Sequence, residues 1–138
     1  RLIRRQRQMC IRDREKKEML YQVCLDAKGK LLTCRCISKG SVGASPVYVR
    51  QVVENALYAG ASGIILAHNH PSGNPAPSRP DDLLTERVRE CAKLLGVRFL
   101  DHVIIGKPTE TVRRNYYSYN HPNGDRLREA DKGLPLYH

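Results

Sequence analysis

The sequence predicts an α/β domain, a mixed β-sheet flanked by helices. Three observations carry this expectation. Short apolar runs alternate with stretches whose apolar residues recur at helical spacing, in the order β-β-α-β-α-β-β. One run, at residues 64–67, is apolar without alternation, the mark of a strand covered on both faces. A length of 138 residues is enough for one domain with a core of its own.

Residues 1–17 form a polar arm rich in Arg, Lys and Gln, with Leu2, Ile3, Met9 and Ile11 interspersed, and are expected to be helical. Residues 19–25 (MLYQVCL) turn apolar and predict the first strand. Residues 26–29 make a turn, with Gly29 supplying the permissive backbone, and residues 30–38 return as a second strand. After a Gly/Ser loop at 40–45, Ser45 can cap a helix with Pro46 in its first turn. Val49, Val52, Val53, Ala56 and Leu57 line its apolar side and Gly60 ends it. A strand at 62–67 leads into a loop rich in Pro, Gly and Ser at 71–80. A second amphipathic helix at 82–95 then presents Leu83, Leu84, Val88, Cys91, Leu94 and Leu95, closed by Gly96. Strands are expected at 97–105 and 116–119, with a small insertion at 107–115 between them. Beyond Asn120 the chain reads as a loop-like tail, poorly ordered or used in packing between copies as a homodimer. The resulting division is an arm at 1–17, a domain at 18–120 and a tail at 121–138.

The composition excludes some classes and leaves others open. The longest apolar run is too short to cross a bilayer, and no charged segment followed by an apolar one opens the chain. A cytoplasmic protein without membrane contact is expected. Because the sequence begins at an arginine, it is treated as a piece that can belong to something longer. The five cysteines (Cys10, Cys24, Cys34, Cys36 and Cys91) are scattered and contain no C-x-x-C pair. Cys34 and Cys36 share one side of a strand and could share a metal, but no second pair follows, so reduced thiols are the stronger reading. The net charge is +10, and residues 1–20 alone hold eight Lys/Arg against three Asp/Glu. Half the excess therefore lies in the arm. Clustered Lys/Arg there could follow a phosphate backbone, or the arm could simply be a solvated helix.

The residues with most chemistry follow the most apolar strand. His68 and His70 are separated by one residue at a strand end, so their side chains project to the same side. Asp81, eleven residues after His70 at the mouth of a helix, can fold back to them. Two imidazoles and one carboxylate leave the fourth position of a zinc ion for water, the arrangement of a catalytic rather than a closed structural site. Each part also has a plain reading. An H-x-H pair is common on surfaces, and Ser78-Arg-Pro-Asp81 matches a capping box, so Ser78 and Asp81 could merely start the helix. His102 and His121 have no companions at ligand spacing and are expected to be structural or exposed.

The combination resembles a known family. His68-x-His70-Pro71, six residues, then Ser78-x-x-Asp81 is similar to the JAMM motif of Jab1/MPN zinc metallohydrolases. The string at 64–73 (IILAHNHPSG), with Pro77-Ser78, Leu95-Gly96-Val97 and the segment at 101–106 (DHVIIG), resembles the RadC branch, over about residues 16–124. The resemblance implies a JAB/MPN fold, laid out like a cytidine deaminase, with zinc held by His68, His70 and Asp81. It further implies a glutamate ahead of the first core strand as general base, at Glu18 with Glu15 as fallback, and Ser78 as the hydroxyl that steadies an oxyanion. Asn69, between the histidines, receives no role. The activity implied is cleavage of a peptide or isopeptide bond. The alternative is a DNA-repair-associated, nucleic-acid-binding accessory domain whose zinc site is not catalytic. The chain departs from many RadC proteins in showing no helix-hairpin-helix region, and the residues around Glu18 do not match the deubiquitinase form of the motif closely. A deaminase would need H-x-E followed by P-C-x-x-C, and neither occurs. Nor does the string His68-Asn69-His70 make an HNH nuclease, whose residues spread over a longer element.

Overall fold

Hydrophobic patterning places the strands, and hydrogen bonding orders them into one sheet. The computed structural model describes residues 17–39, 46–111 and 113–120. The order is β1 (Met19–Leu25), β2 (Leu31–Lys39), α1 (Pro46–Ala59), β3 (Gly63–Asn69), α2 (Arg79–Leu95), β4 (Arg98–Ile105) and β5 (Tyr116–Ser118). This is the expected β-β-α-β-α-β-β sequence in an α/β fold. In space the sheet runs β2-β1-β3-β4-β5. Every neighbouring pair is antiparallel except β3 and β4, which are parallel and joined through α2. The expected arm helix lies almost wholly outside the described residues, as do the Ser45 cap, Glu15, Cys10, His121 and the tail.

The β1–β2 turn closes as its residues dictate. Asp26 Oδ1 accepts from the backbone N–H groups of Lys28 and Lys30, both at 2.8 Å, and Gly29 takes φ +82°. All seven residues of β3 are buried, as its unbroken apolar run requires. Leu20, Cys24, Ile64 and Leu66 pack against Val52 and Ala56 of α1 and Leu84, Val88 and Ala92 of α2. Both described helices therefore cover the same face of the sheet. On the other face Tyr21, Ala67, Val103, Ile105 and Tyr116 form their own cluster.

Several boundaries shift by one residue from the sequence reading, and two larger differences bear on the site. Strand β3 continues through His68 and Asn69, since His68 pairs with Leu20 on one side and Ile104 on the other. Helix α2 begins at Arg79 rather than at residue 82, with Ser78 as its N-cap. Ladder pairing on both sides outweighs the polarity of His68-Asn69, and the cap draws Asp81 into the first helical turn.

Candidate metal centre

Parity along β3 sends Ile64, Leu66 and His68 toward the helices, and the next residue of that parity is His70 just past the strand. His68 is fully buried, with its Nε2 3.1 Å from His70 Nε2 and 3.1 Å from Asp81 Oδ1. His70 Nε2 lies 3.0 Å from Asp81 Oδ2. Asp81 reaches them because it is the third residue of α2. Its Oδ2 accepts from Ser78 N at 2.9 Å, while Asp81 N donates to Ser78 Oγ at 3.3 Å. The capping box and the candidate ligand are thus one residue doing both things. Glu18 stands slightly apart, its Oε1 3.7 Å from His70 Nε2 and 4.0 Å from His68 Nε2. Among the described residues, Glu18, His68, His70 and Asp81 form a group able to hold a metal ion.

The donor chemistry can be tested atom by atom. His70 Nδ1 sits 2.9 Å from the Asn74 carbonyl, which only accepts, so Nδ1 carries a proton and in the neutral ring Nε2 presents a lone pair. Among the described residues the nearly inaccessible Asp81 Oδ1 accepts no hydrogen bond, although His68 Nε2 is 3.1 Å away. Acceptors at such spacing repel unless a cation lies among them, either a proton added to a histidine or a metal. A tetrahedral zinc site with ligands at about 2.0–2.2 Å sets its donors roughly 3.3 Å apart, within a few tenths of an ångström of these distances. The residues fit a divalent ion of that kind.

The electrostatics agree. Burial alone would push the Asp81 carboxyl up, but its contacts with His68 and His70 hold it well below the usual carboxylate range. The contact with Asp81 raises His70 above its ordinary value, with burial opposing. Burial pushes His102 well below its ordinary value.

Three further residues contribute. His102, expected to be structural or exposed for want of companions at ligand spacing, is fully buried and has two side-chain partners far from it in sequence. Its Nε2 is 2.7 Å from His68 Nδ1 and its Nδ1 2.6 Å from Thr85 Oγ1. Thr85 Oγ1 in turn donates to the Asp81 carbonyl at 2.8 Å. Asn69, given no role from sequence, accepts from Met19 N at 2.7 Å and donates to Lys17 O at 3.1 Å. One amide therefore fastens the backbone on both sides of Glu18. Thr85 carries a readable signal, since it lies four residues after Asp81 and so on the same helical face. For His102 the partners come from β3 and α2, and for Asn69 from the start of β1 and the residue two before it.

The loop between the histidines and α2 is held by its own polar groups and by β4 and Asn115. His70 N extends the ladder to Ile105 O, Ala76 N bonds Asn74 Oδ1, and Asn115 Nδ2 donates to the carbonyls of Gly73 and Lys107. Gly106 lies beneath it, so close that an added Cβ would collide with the Gly73 carbonyl and reach 2.8 Å from Pro75 Cδ.

The family described as RadC-like JAB domain matches residues 3–127. A UPF0758 protein of Methanosarcina barkeri is 46% identical over 93 residues, covering 67% of this chain and 41% of that protein. One from Methanococcoides burtonii is 49% identical over 91 residues, covering 66% and 40%, and one from Thermotoga maritima is 39% identical over 103 residues, covering 75% and 44%. The chain spans about two fifths of the length of these relatives.

Proposed function

The chain belongs to the RadC-like JAB domain family, and from that premise we propose that it is a zinc-dependent hydrolase of JAMM type acting on a peptide or isopeptide bond. The observation that carries this reading is the convergence of His68 Nε2, His70 Nε2 and the Asp81 carboxylate at 3.0–3.1 Å, with Glu18 at 3.7–4.0 Å. Zinc held by His68, His70 and Asp81 would acidify a water and polarise a carbonyl oxygen. Glu18 is set further out than the three ligands, as suits a base. Its carboxylate would take the proton from the attacking water and later pass it to the leaving amine. Asn69 supports this by fixing the peptide groups on either side of Glu18. The Ser78 hydroxyl accepts from Asp81 N and keeps its own proton to offer to the carbonyl oxygen as charge develops there.

A cleavage screen of the wild type beside Glu18→Gln and His68→Ala tests the reading. Activity should be lost in both variants while Glu18→Gln still binds zinc. Activity surviving both changes would belong to some other site.

The uneven charge supports a second reading, a nucleic-acid-binding accessory role, since half of the +10 excess lies in residues 1–20. Removing residues 1–15 should then weaken DNA affinity and flatten its dependence on salt, by about 0.9 in the log–log slope for each phosphate that the arm no longer neutralises. An unchanged slope would remove the arm from consideration.

A further inference from the structure

Behind His68 runs a chain of hydrogen bonds whose direction is set at its far end. A carbonyl oxygen can only accept, so the 2.8 Å contact between Thr85 Oγ1 and the Asp81 carbonyl uses the single proton of the Thr85 hydroxyl. The 2.6 Å contact with His102 must then run the other way, with His102 Nδ1–H donating to Thr85 Oγ1. His102 is fully buried and among the described residues no carboxylate touches either ring nitrogen, so a second proton would leave an unpaired charge in the interior. The ring is neutral and its Nε2 is an acceptor. The 2.7 Å contact at that nitrogen consequently needs a proton on His68 Nδ1. In the neutral His68 ring that leaves Nε2 with its lone pair toward His70 and Asp81.

We propose that Thr85 and His102 are positioning residues that pre-set the tautomer of His68, so that His68 Nε2 is a ready metal donor before any ion arrives. The determinant is a backbone group, the carbonyl of Asp81. The residue that supplies one candidate ligand thereby orients another through its main chain. Ring geometry is fixed as well, because His102 stacks on Tyr119 at 5.0 Å and 11°, and Tyr119 Oη donates to Asp82 Oδ1 at 2.6 Å. The opposite polarity would point Thr85 and the Asp81 carbonyl at each other lone pair to lone pair. It would also put a proton on His68 Nε2, between the candidate ligands. The metal-binding consequence rests on the zinc-site reading above; the tautomer itself does not.

Nitrogen-15 NMR of the histidine side chains in the full, metal-free chain at mildly alkaline pH reads the tautomers directly. Wild type should show both His68 and His102 as single Nδ1–H tautomers. Thr85→Val, which keeps the shape but removes the hydroxyl, should give mixed tautomers at both rings. Thr85→Ser should restore the wild-type pattern. A wild-type His68 protonated at Nε2, or a Thr85→Val spectrum identical to wild type, overturns the proposal. Zinc titration of the same samples should show Thr85→Val weakened about 10- to 100-fold, with Thr85→Ser near wild type. Absence of zinc binding in wild type would sink the metal-site reading, while the tautomer pattern would still decide the relay.

Discussion

At the scale of single residues, the contact between Asp81 and His70 makes a pH dependence that changes with metal. In the metal-free chain His70 titrates above its ordinary 6.5, so its contribution to stability is complete below 6.5 and is lost as pH rises through the higher folded value. Asp81 titrates below its ordinary 3.8, so its contribution is complete above 3.8 and is lost as pH falls. Both describe one contact, which is fully present only between those two values. His102 works in the opposite sense, since a histidine buried neutral loses stability as pH falls below 6.5. The quantity to measure is therefore the difference in urea midpoint between wild type and Asp81→Asn, from which the burial-driven part of the His102 slope cancels. That difference should be greatest between about pH 4 and 6.5 and should shrink above it. A difference that keeps growing on the alkaline side would mean that Asp81 is not holding a proton on His70. Zinc affinity should behave in the reverse way and fall with acidification, because the ion must displace that proton.

Between elements, what decides the site is how β3, α2 and the loop joining them are fastened. Gly106 is the clearest lever, because it ends the ladder of β4 directly under the loop that carries His70. Gly106→Ala should push the Gly73–Pro75 backbone outward, costing about 1–3 kcal/mol by overpacking and weakening zinc binding. Gly29→Ala supplies the control, since it strains a turn residue at φ +82° while an added Cβ there meets nothing within 4 Å. It should lower stability with no change in zinc affinity. Equal zinc affinity in wild type and Gly106→Ala, measured by competition with a chelator, would show that the loop does not depend on this contact. The same elements show what sequence can and cannot disclose. The order of strands and helices is legible because burial writes a period into each segment, as the unbroken run of β3 and the Leu84–Val88 spacing of α2 do. His68, His70 and Asp81 are legible because a strand end and a helix start, joined by one short loop, make their meeting almost local. His102 is not, because it meets His68 only through the β3–β4 register, in which it sits opposite Leu66. Asn69 is hidden for the same reason, its partners lying some fifty residues earlier beside Glu18. Sequence distance, not weakness of interaction, conceals both.

Across the whole molecule, the candidate ligands join parts that the backbone connects loosely. Among the described strands β3 and β4 are the only parallel neighbours, and the site lies at the carboxyl end of β3, where α2 begins the crossover. An ion bound by His68, His70 and Asp81 would pin the central strand to the first turn of α2 in the folded chain and would find no such set in the unfolded one. By mass action such binding adds about 2.7 kcal/mol at a free concentration one hundred times Kd, and melting should rise by something on the order of 10 °C. Asp81→Asn retains the shape of the side chain and its cap contact while removing the charge, so added zinc should raise its melting temperature far less. Glu18→Gln should respond almost as wild type does, because Glu18 stands outside the three ligands. A wild-type melting temperature indifferent to zinc would refute the metal centre. A shift that Asp81→Asn reproduces in full would place the bound ion elsewhere, and a shift abolished by Glu18→Gln would make Glu18 a ligand and leave the base to be found among other groups.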